Sequence, residues 1–177
     1  SPFEHNAITR TLHHLQNTIH FQIEQLSVDN NSLVYNPNAI KAQFEKNKPY
    51  CVITSHASNV CGAVAPIEDI FSLAKKYNAI TIADMCQTAG LIDTDLSSDN
   101  FDYAVFEGHK TLYGPMGIGG FIAKPTTAIV PLIYGGTGVE SANQDMPNEI
   151  PVKYEAGSHN ILAISGLNAA LKWIDSI

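Results

Sequence analysis

The stretch AITIAD at residues 79–84 decides the fold: five residues of strand-like character stop at a carboxylate. YAVFEGHK at 103–110 has the same form, with four such residues running into Glu107, Gly108, His109 and Lys110. A third run, YCVIT at 50–54, opens into a polar loop over 55–65. Short apolar runs of this kind read as strands buried in a sheet. Between the first two in chain order, Pro66 opens a segment that places Ile67, Ile70, Phe71, Ala74 and Tyr77 on one helical face. Further out, Ile8, Leu12, Leu15 and Ile19 form a helical stripe, and Phe21 to Val28 reads as a strand. An Asn-rich turn over Asp29–Asn38 leads, with Pro37 as a first helical residue, into a helix expected to end near Lys48–Pro49. Downstream, Gly117–Ala123 and Ala128–Ile133 are strand candidates around Pro125. Ile164, Leu167, Leu171 and Ile174 mark a final amphipathic helix. Strands alternating with helices imply an α/β fold, a mainly parallel sheet with flanking helices. In such sheets ligands bind beyond the carboxyl ends of the strands. The loops at 55–65, 84–90 and 107–120 are therefore the places to look for chemistry.

Composition narrows the classes. The 177 residues suit one domain, and 45% hydrophobic with 15% charged residues is globular rather than disordered. The net charge of −7 argues against a nucleic-acid backbone as partner. No apolar run reaches the roughly 18–20 residues of a membrane span, and the polar opening Ser1–Gln16 does not read as a signal peptide. Cys51, Cys61 and Cys86 are odd in number and match no zinc spacing, so free thiols in a reducing cytoplasm are expected, and no metal.

Asp84 ends an apolar strand, where a carboxylate needs a cation or hydrogen-bond donors. It serves there either as a loop cap or as the partner of a protonated ring nitrogen. Lys110 lies in GHKTLYGPMGIGG at 108–120. It is either a turn lysine reaching water or an amine in a partly desolvated pocket, able to attack a carbonyl. The surrounding glycines match neither GxGxxG nor GxxxxGK[ST], so a nucleotide-binding domain is a weak alternative. Together, one strand-end acid and one strand-end amine on the same sheet edge point to pyridoxal 5'-phosphate.

EHNAITRTL (4–12), SHASNVCG (55–62), ADMCQTAG (83–90), GHKTLYGPMGIGG (108–120) and KYEAGSHNILAISGL (153–167) occur in that order. This series resembles the class V aminotransferases of fold type I, and within them the cysteine desulfurase and selenocysteine lyase branch. The resemblance implies that Lys110 bonds the cofactor aldehyde and that Asp84 faces the pyridinium nitrogen. Gln87 and Asn59 would lie beside the ring's phenolic oxygen. His5 would stack on the ring and exchange protons with substrate, and His109 would help hold the phosphate. Gly135-Gly136-Thr137 resembles a loop reaching the phosphate of the partner subunit in a homodimer.

Residue by residue, blander readings exist. His5 could be a surface histidine, His109 could satisfy a backbone carbonyl, and Asn59 and Gln87 could be loop amides. Cys61 and Cys86 read as small packing residues rather than nucleophiles.

Glu107 departs from the family pattern, which has a small hydroxyl residue three before the lysine. A carboxylate beside a phosphate is repulsive unless protonated or turned away. Residues 1–177 also resemble only part of the large cofactor-binding domain, without the upstream segment and the C-terminal small domain. The substrate arginine and the sulfur-accepting cysteine would lie outside this chain, and a fragment would turn over little. The resemblance implies cysteine desulfuration to alanine, with a small amino acid as substrate and a sulfur-acceptor protein as possible partner. The alternatives are an aminotransferase or other lyase of the same fold, or an inactive scaffold.

Overall fold

A computed structural model describes residues 1–125 and 129–177. Four strands form one sheet in sequence order: β1 (Cys51–Ser55), β2 (Ile80–Asp84), β3 (Tyr103–Glu107) and β4 (Gly119–Ala123). The first three are parallel and β4 returns antiparallel, so the sheet is mainly parallel as expected. Residues alternate between faces along a strand, and the burial follows. Val52 and Thr54, Thr81 and Ala83, and Ala104 point to one face and are buried there.

That face carries the core. Helices α1 (Asn6–Gln16), α2 (Pro37–Lys46), α3 (Ile67–Lys75) and α4 (Ile161–Ile174), with a 3-10 turn at Val152–Tyr154, complete the chain. α3 lies on β1 and β2 and buries Ile67, Ile70, Phe71 and Ala74. Phe71 is fully buried, with Phe101 edge-on at 5.3 Å. Asp102 ties α3 to the sheet: it pairs with Lys75 and accepts from the Thr81 N–H at 2.8 Å. Burial pushes the Asp102 carboxyl up, but the Lys75 ammonium and the Thr81 donors outweigh it and hold the group below its usual range. Asn36 and Asn160 cap α2 and α4 through their side-chain oxygens, which is why those helices start where they do.

Several sequence expectations are corrected. Phe21–Val28 is not a strand; only Val28 makes one antiparallel bridge, to Tyr35. The Gln43 side chain takes the place of a strand partner. Its Oε1 accepts from Ser27 N at 2.9 Å and its Nε2 donates to Gln25 O at 2.9 Å. The second strand candidate also fails over residues 129–133, which pair with no strand and leave Leu132 94% exposed; Ala128 lies outside the described residues. The helix from Pro37 stops at Lys46 rather than near Lys48–Pro49, and α3 stops at Lys75, so Tyr77 reaches the core from beyond its end. α1 forms but buries no residue, and Ile19 lies beyond it. No helix among the described residues is long and apolar enough to cross a membrane.

Candidate active site

Register brings the strand ends together. Ser55 pairs with Asp84, and Asp84 with Val105. Register partners in a sheet share a face, so Ser55, Asp84 and, two residues beyond Val105, Glu107 point to one side. Asp84 is set by the sheet and its loop together. Its carbonyl accepts from His56 N at 2.9 Å, and its Oδ1 accepts from Cys86 N at 3.0 Å. Its Oδ2 is 3.3 Å from Ser55 Oγ. That hydroxyl has a single proton and a shorter contact, 2.7 Å, to Oε2 of Glu4. Asp84 Oδ2 thus keeps acceptor capacity for a further donor.

The amine side is built differently. The turn after β3 closes through Gly108 N to Ile118 O at 2.9 Å and Gly114 N to Gly108 O at 2.7 Å. A Cβ on Gly114 would sit 2.9 Å from the Gly108 oxygen, so this close approach requires glycine. Thr111 Oγ1 donates to Ala89 O at 2.6 Å, tying the Lys110 turn to the loop that follows Asp84. Lys110 Nζ lies 2.9 Å from Glu107 Oε2, and His109 Nε2 lies 3.6 Å from the same oxygen. The lysine side chain is 31% exposed. It is therefore a partly buried amine held in an ion pair. Glu107 is likewise not a bare charge; it is turned onto the two basic groups.

Cys86 lies two residues after Asp84, on the loop that Thr111 ties to the Lys110 turn. Burial, then a hydrogen bond to Asp84 and the charges of Asp84 and Glu107, push its thiol up to about 12, while Lys110 opposes them. The Cys86 thiol stays protonated at neutral pH and is no nucleophile there. The pairing of β2 with β3 and the Thr111–Ala89 hydrogen bond put the strand-end acid and the strand-end amine in one neighbourhood.

The other expected residues sit as follows. His5 is the N-cap of α1, its Nδ1 accepting from Ala7 N at 3.1 Å, which leaves the exposed ring face and Nε2 available. The preceding Glu4 anchors that end of the chain, accepting from the Ser55 N–H at 2.9 Å. Gln87 is half-buried and Asn59 exposed, and among the described residues neither side-chain amide has a hydrogen-bond partner. Thr137 is apart from this cluster in its bonding. Its hydroxyl donates to Val139 O at 3.4 Å, and its neighbour Gly136 bonds Gly157.

Sequence reasoning missed Ser55, Glu4 and Thr111, whose contacts depend on strand register. It also missed the Glu107–Lys110 pair, for which the three-residue spacing of opposite charges in a tight turn is a readable signal. Among the described residues no group of three or more His, Cys, Asp or Glu converges as a metal site, and the three cysteines are free thiols.

A pyridoxal-type cofactor needs a carboxylate with a free lone pair for a ring N–H, an amine nearby for an aldehyde, and donors for a phosphate. Asp84 Oδ2 and Lys110 meet the first two needs, and the free amides of Gln87 and Asn59 lie on the same strand-end loops. On the ring nitrogen and the aldehyde the residues present fit such a group.

The family model for class V aminotransferases (Aminotransferase class-V) matches residues 1–177. A probable cysteine desulfurase of Haemophilus influenzae is 33% identical over 98% of this chain and 40% of its own length. Cysteine desulfurase IscS of Dictyoglomus turgidum is 29% identical over 97% of this chain and 40% of its own. Among solved structures, the apo cysteine desulfurase of Thermococcus onnurineus superposes with a TM-score of 0.89 at 26% identity, over all of this chain and 44% of that one. The cysteine desulfurase CsdA of Escherichia coli superposes with a TM-score of 0.85 at 25% identity, over 98% of this chain and 44% of that one. The chain thus spans less than half the length of these relatives.

Proposed function

Because the chain belongs to the class V aminotransferase family, we propose that its strand-end cluster binds pyridoxal 5'-phosphate and that the whole protein is a cysteine desulfurase, converting cysteine to alanine and transferable sulfur. The observation that carries this reading is the Asp84 carboxylate, with acceptor capacity on Oδ2, at the end of the strand paired to β3, whose Lys110 turn is tied to the loop after Asp84 by Thr111. When bound, the cofactor ring supplies an electron sink for charge developing on the amino acid. Lys110 Nζ holds the cofactor's aldehyde carbon and moves protons once freed. Asp84 Oδ2 keeps a proton on the ring nitrogen by accepting from it. Gln87 would donate to the ring's phenolic oxygen with Asn59 beside it, His109 would help hold the phosphate, and His5 would stack on the ring and exchange protons with the substrate. Thr137 reaches the phosphate of a partner subunit in a homodimer. The sulfur-accepting thiol is assigned outside residues 1–177, consistent with a Cys86 thiol that stays protonated. A sulfur-acceptor protein and a cytoplasmic location complete the reading.

An absorbance scan with added pyridoxal phosphate tests the cofactor. A near-visible band is expected in the protein and absent in Lys110→Ala. With cysteine as substrate and a dithiol as the reductant that releases the transferable sulfur as sulfide, alanine plus sulfide is expected, whereas a keto acid would identify an aminotransferase. A scaffold role is the second reading, favoured by the ion pair that already occupies Lys110. The absence of any band in the whole protein would favour it.

A further inference from the structure

We propose that Glu107 is a latch on Lys110: it holds the amine as an ion-paired ammonium that must be released before Nζ can bond to a carbonyl carbon. Glu107 thereby sets how fast the site is loaded. The inference rests on the aldehyde-binding reading of Lys110. Glu107 Oε2 is 2.9 Å from Nζ and 3.6 Å from His109 Nε2, so two basic groups converge on one oxygen. Glu107 is the last residue of β3 and its register partner on β4 is Gly119, which brings no side chain to compete for the carboxylate. Asp84, the acid that shares its face at the neighbouring strand end, accepts from the Cys86 N–H instead. Lys110 and Glu107 are both partly exposed, at 31% and 39%, so an aldehyde can reach the pair from solvent.

The chemistry sets the direction of the effect. An ammonium has no lone pair. Once released, the nitrogen gives up a proton to water and forms a bond to the aldehyde carbon. The carbonyl oxygen leaves as water with two of the three original ammonium protons, carried by solvent, and the product nitrogen keeps the third. A 2.9 Å contact that must break before the nitrogen is released slows the first of these events.

The test is the rate of covalent labelling at Lys110 by two aldehydes, pyridoxal phosphate and phosphate-free pyridoxal. A borohydride supplies the hydride that fixes the carbon–nitrogen bond as a secondary amine, and peptide mass spectrometry locates it. Glu107→Gln and Glu107→Ser should label about two- to fivefold faster than the unsubstituted protein with both aldehydes, the weight of a partly exposed ion pair. The gap should narrow in high salt, which screens the pair. Equal or slower labelling in both variants would overturn the latch while leaving the cofactor reading intact. A gain confined to pyridoxal phosphate would also overturn it, identifying Glu107 as a charge that repels phosphate. No labelling of Lys110 in any variant would overturn the latch and the cofactor reading together.

Discussion

The end of β2 and the end of β3 carry the two groups on which the site depends, and they are built in opposite ways. Asp84 sits inside a ladder with a strand on each side, and its carboxylate contacts Ser55 and Cys86. Lys110 sits three residues beyond its strand, on a turn closed by glycine backbone, and its amine has one ion-pair partner. The acid is held by the sheet and the loop that follows it, the amine by its turn and the one Thr111 hydrogen bond that ties that turn to the Asp84 loop. A fixed acid suits a group that stays in place throughout, because pre-organised dipoles need no rearrangement. A loosely held amine suits a group that must change its bonding partner.

The largest difference between the two ends is expected on removing their side chains. Lys110→Ala should abolish hydride-trapped labelling by pyridoxal phosphate at the 107–120 turn altogether. Asp84→Ala should leave Lys110 labelled but loosen the cofactor, read as a raised Kd in an absorbance titration. Equal loss in both would show that the two ends are not separable. Next in size, Phe71→Ala removes the fully buried ring behind β1 and β2. It should cost about 3–5 kcal/mol in urea melts, and it acts from the sheet side. Gly114→Ala acts on the other end, driving a Cβ to 2.9 Å from the Gly108 oxygen. It should cost about 1–3 kcal/mol and slow Lys110 labelling while Asp84-dependent affinity changes less. Ser55→Ala removes the hydroxyl that donates to Glu4 beside Asp84 and should cost about 1 kcal/mol.

The smallest effect is a pH dependence at the Asp84 end. His56, next to Ser55, is buried with Nδ1 unpartnered among the described residues. Burial holds its pKa below the ordinary 6.5, with Glu68 opposing. The unfolded chain then takes up the proton first. Stability from His56 is complete above pH 6.5 and is lost as pH falls through the folded-state value. Thermal melts should show Tm falling below that pH, and His56→Gln should flatten the slope.

Much of the scaffold is legible from local signals. β1, β2 and β3 are short apolar runs ended by polar residues, and the α3 stripe matches its buried face. Asp84 and Lys110 were readable because strand ends in a parallel sheet are where ligands bind. The failures share a cause. Phe21–Val28 has strand composition, but whether it pairs depends on a partner, and the Gln43 side chain satisfies that backbone instead. Residues 129–133 are apolar enough for a strand yet have no neighbour to pair with among the described residues. The Ser55–Asp84 contact spans 29 residues and exists only because of the register between β1 and β2. Glu107 shows the reverse: the family resemblance directs attention to a phosphate, whereas the nearer event is a pairing with Lys110 three residues on.

The most direct test of the whole account is a crystal structure of the protein after incubation with pyridoxal phosphate. The account expects the cofactor's aldehyde carbon bonded to Lys110 Nζ and its ring nitrogen at about 2.7–2.9 Å from an Asp84 carboxylate oxygen, with Glu107 turned away from the lysine. A cofactor bound elsewhere, or a ring whose nitrogen faces solvent while Asp84 remains with Ser55 and Cys86 alone, would contradict it.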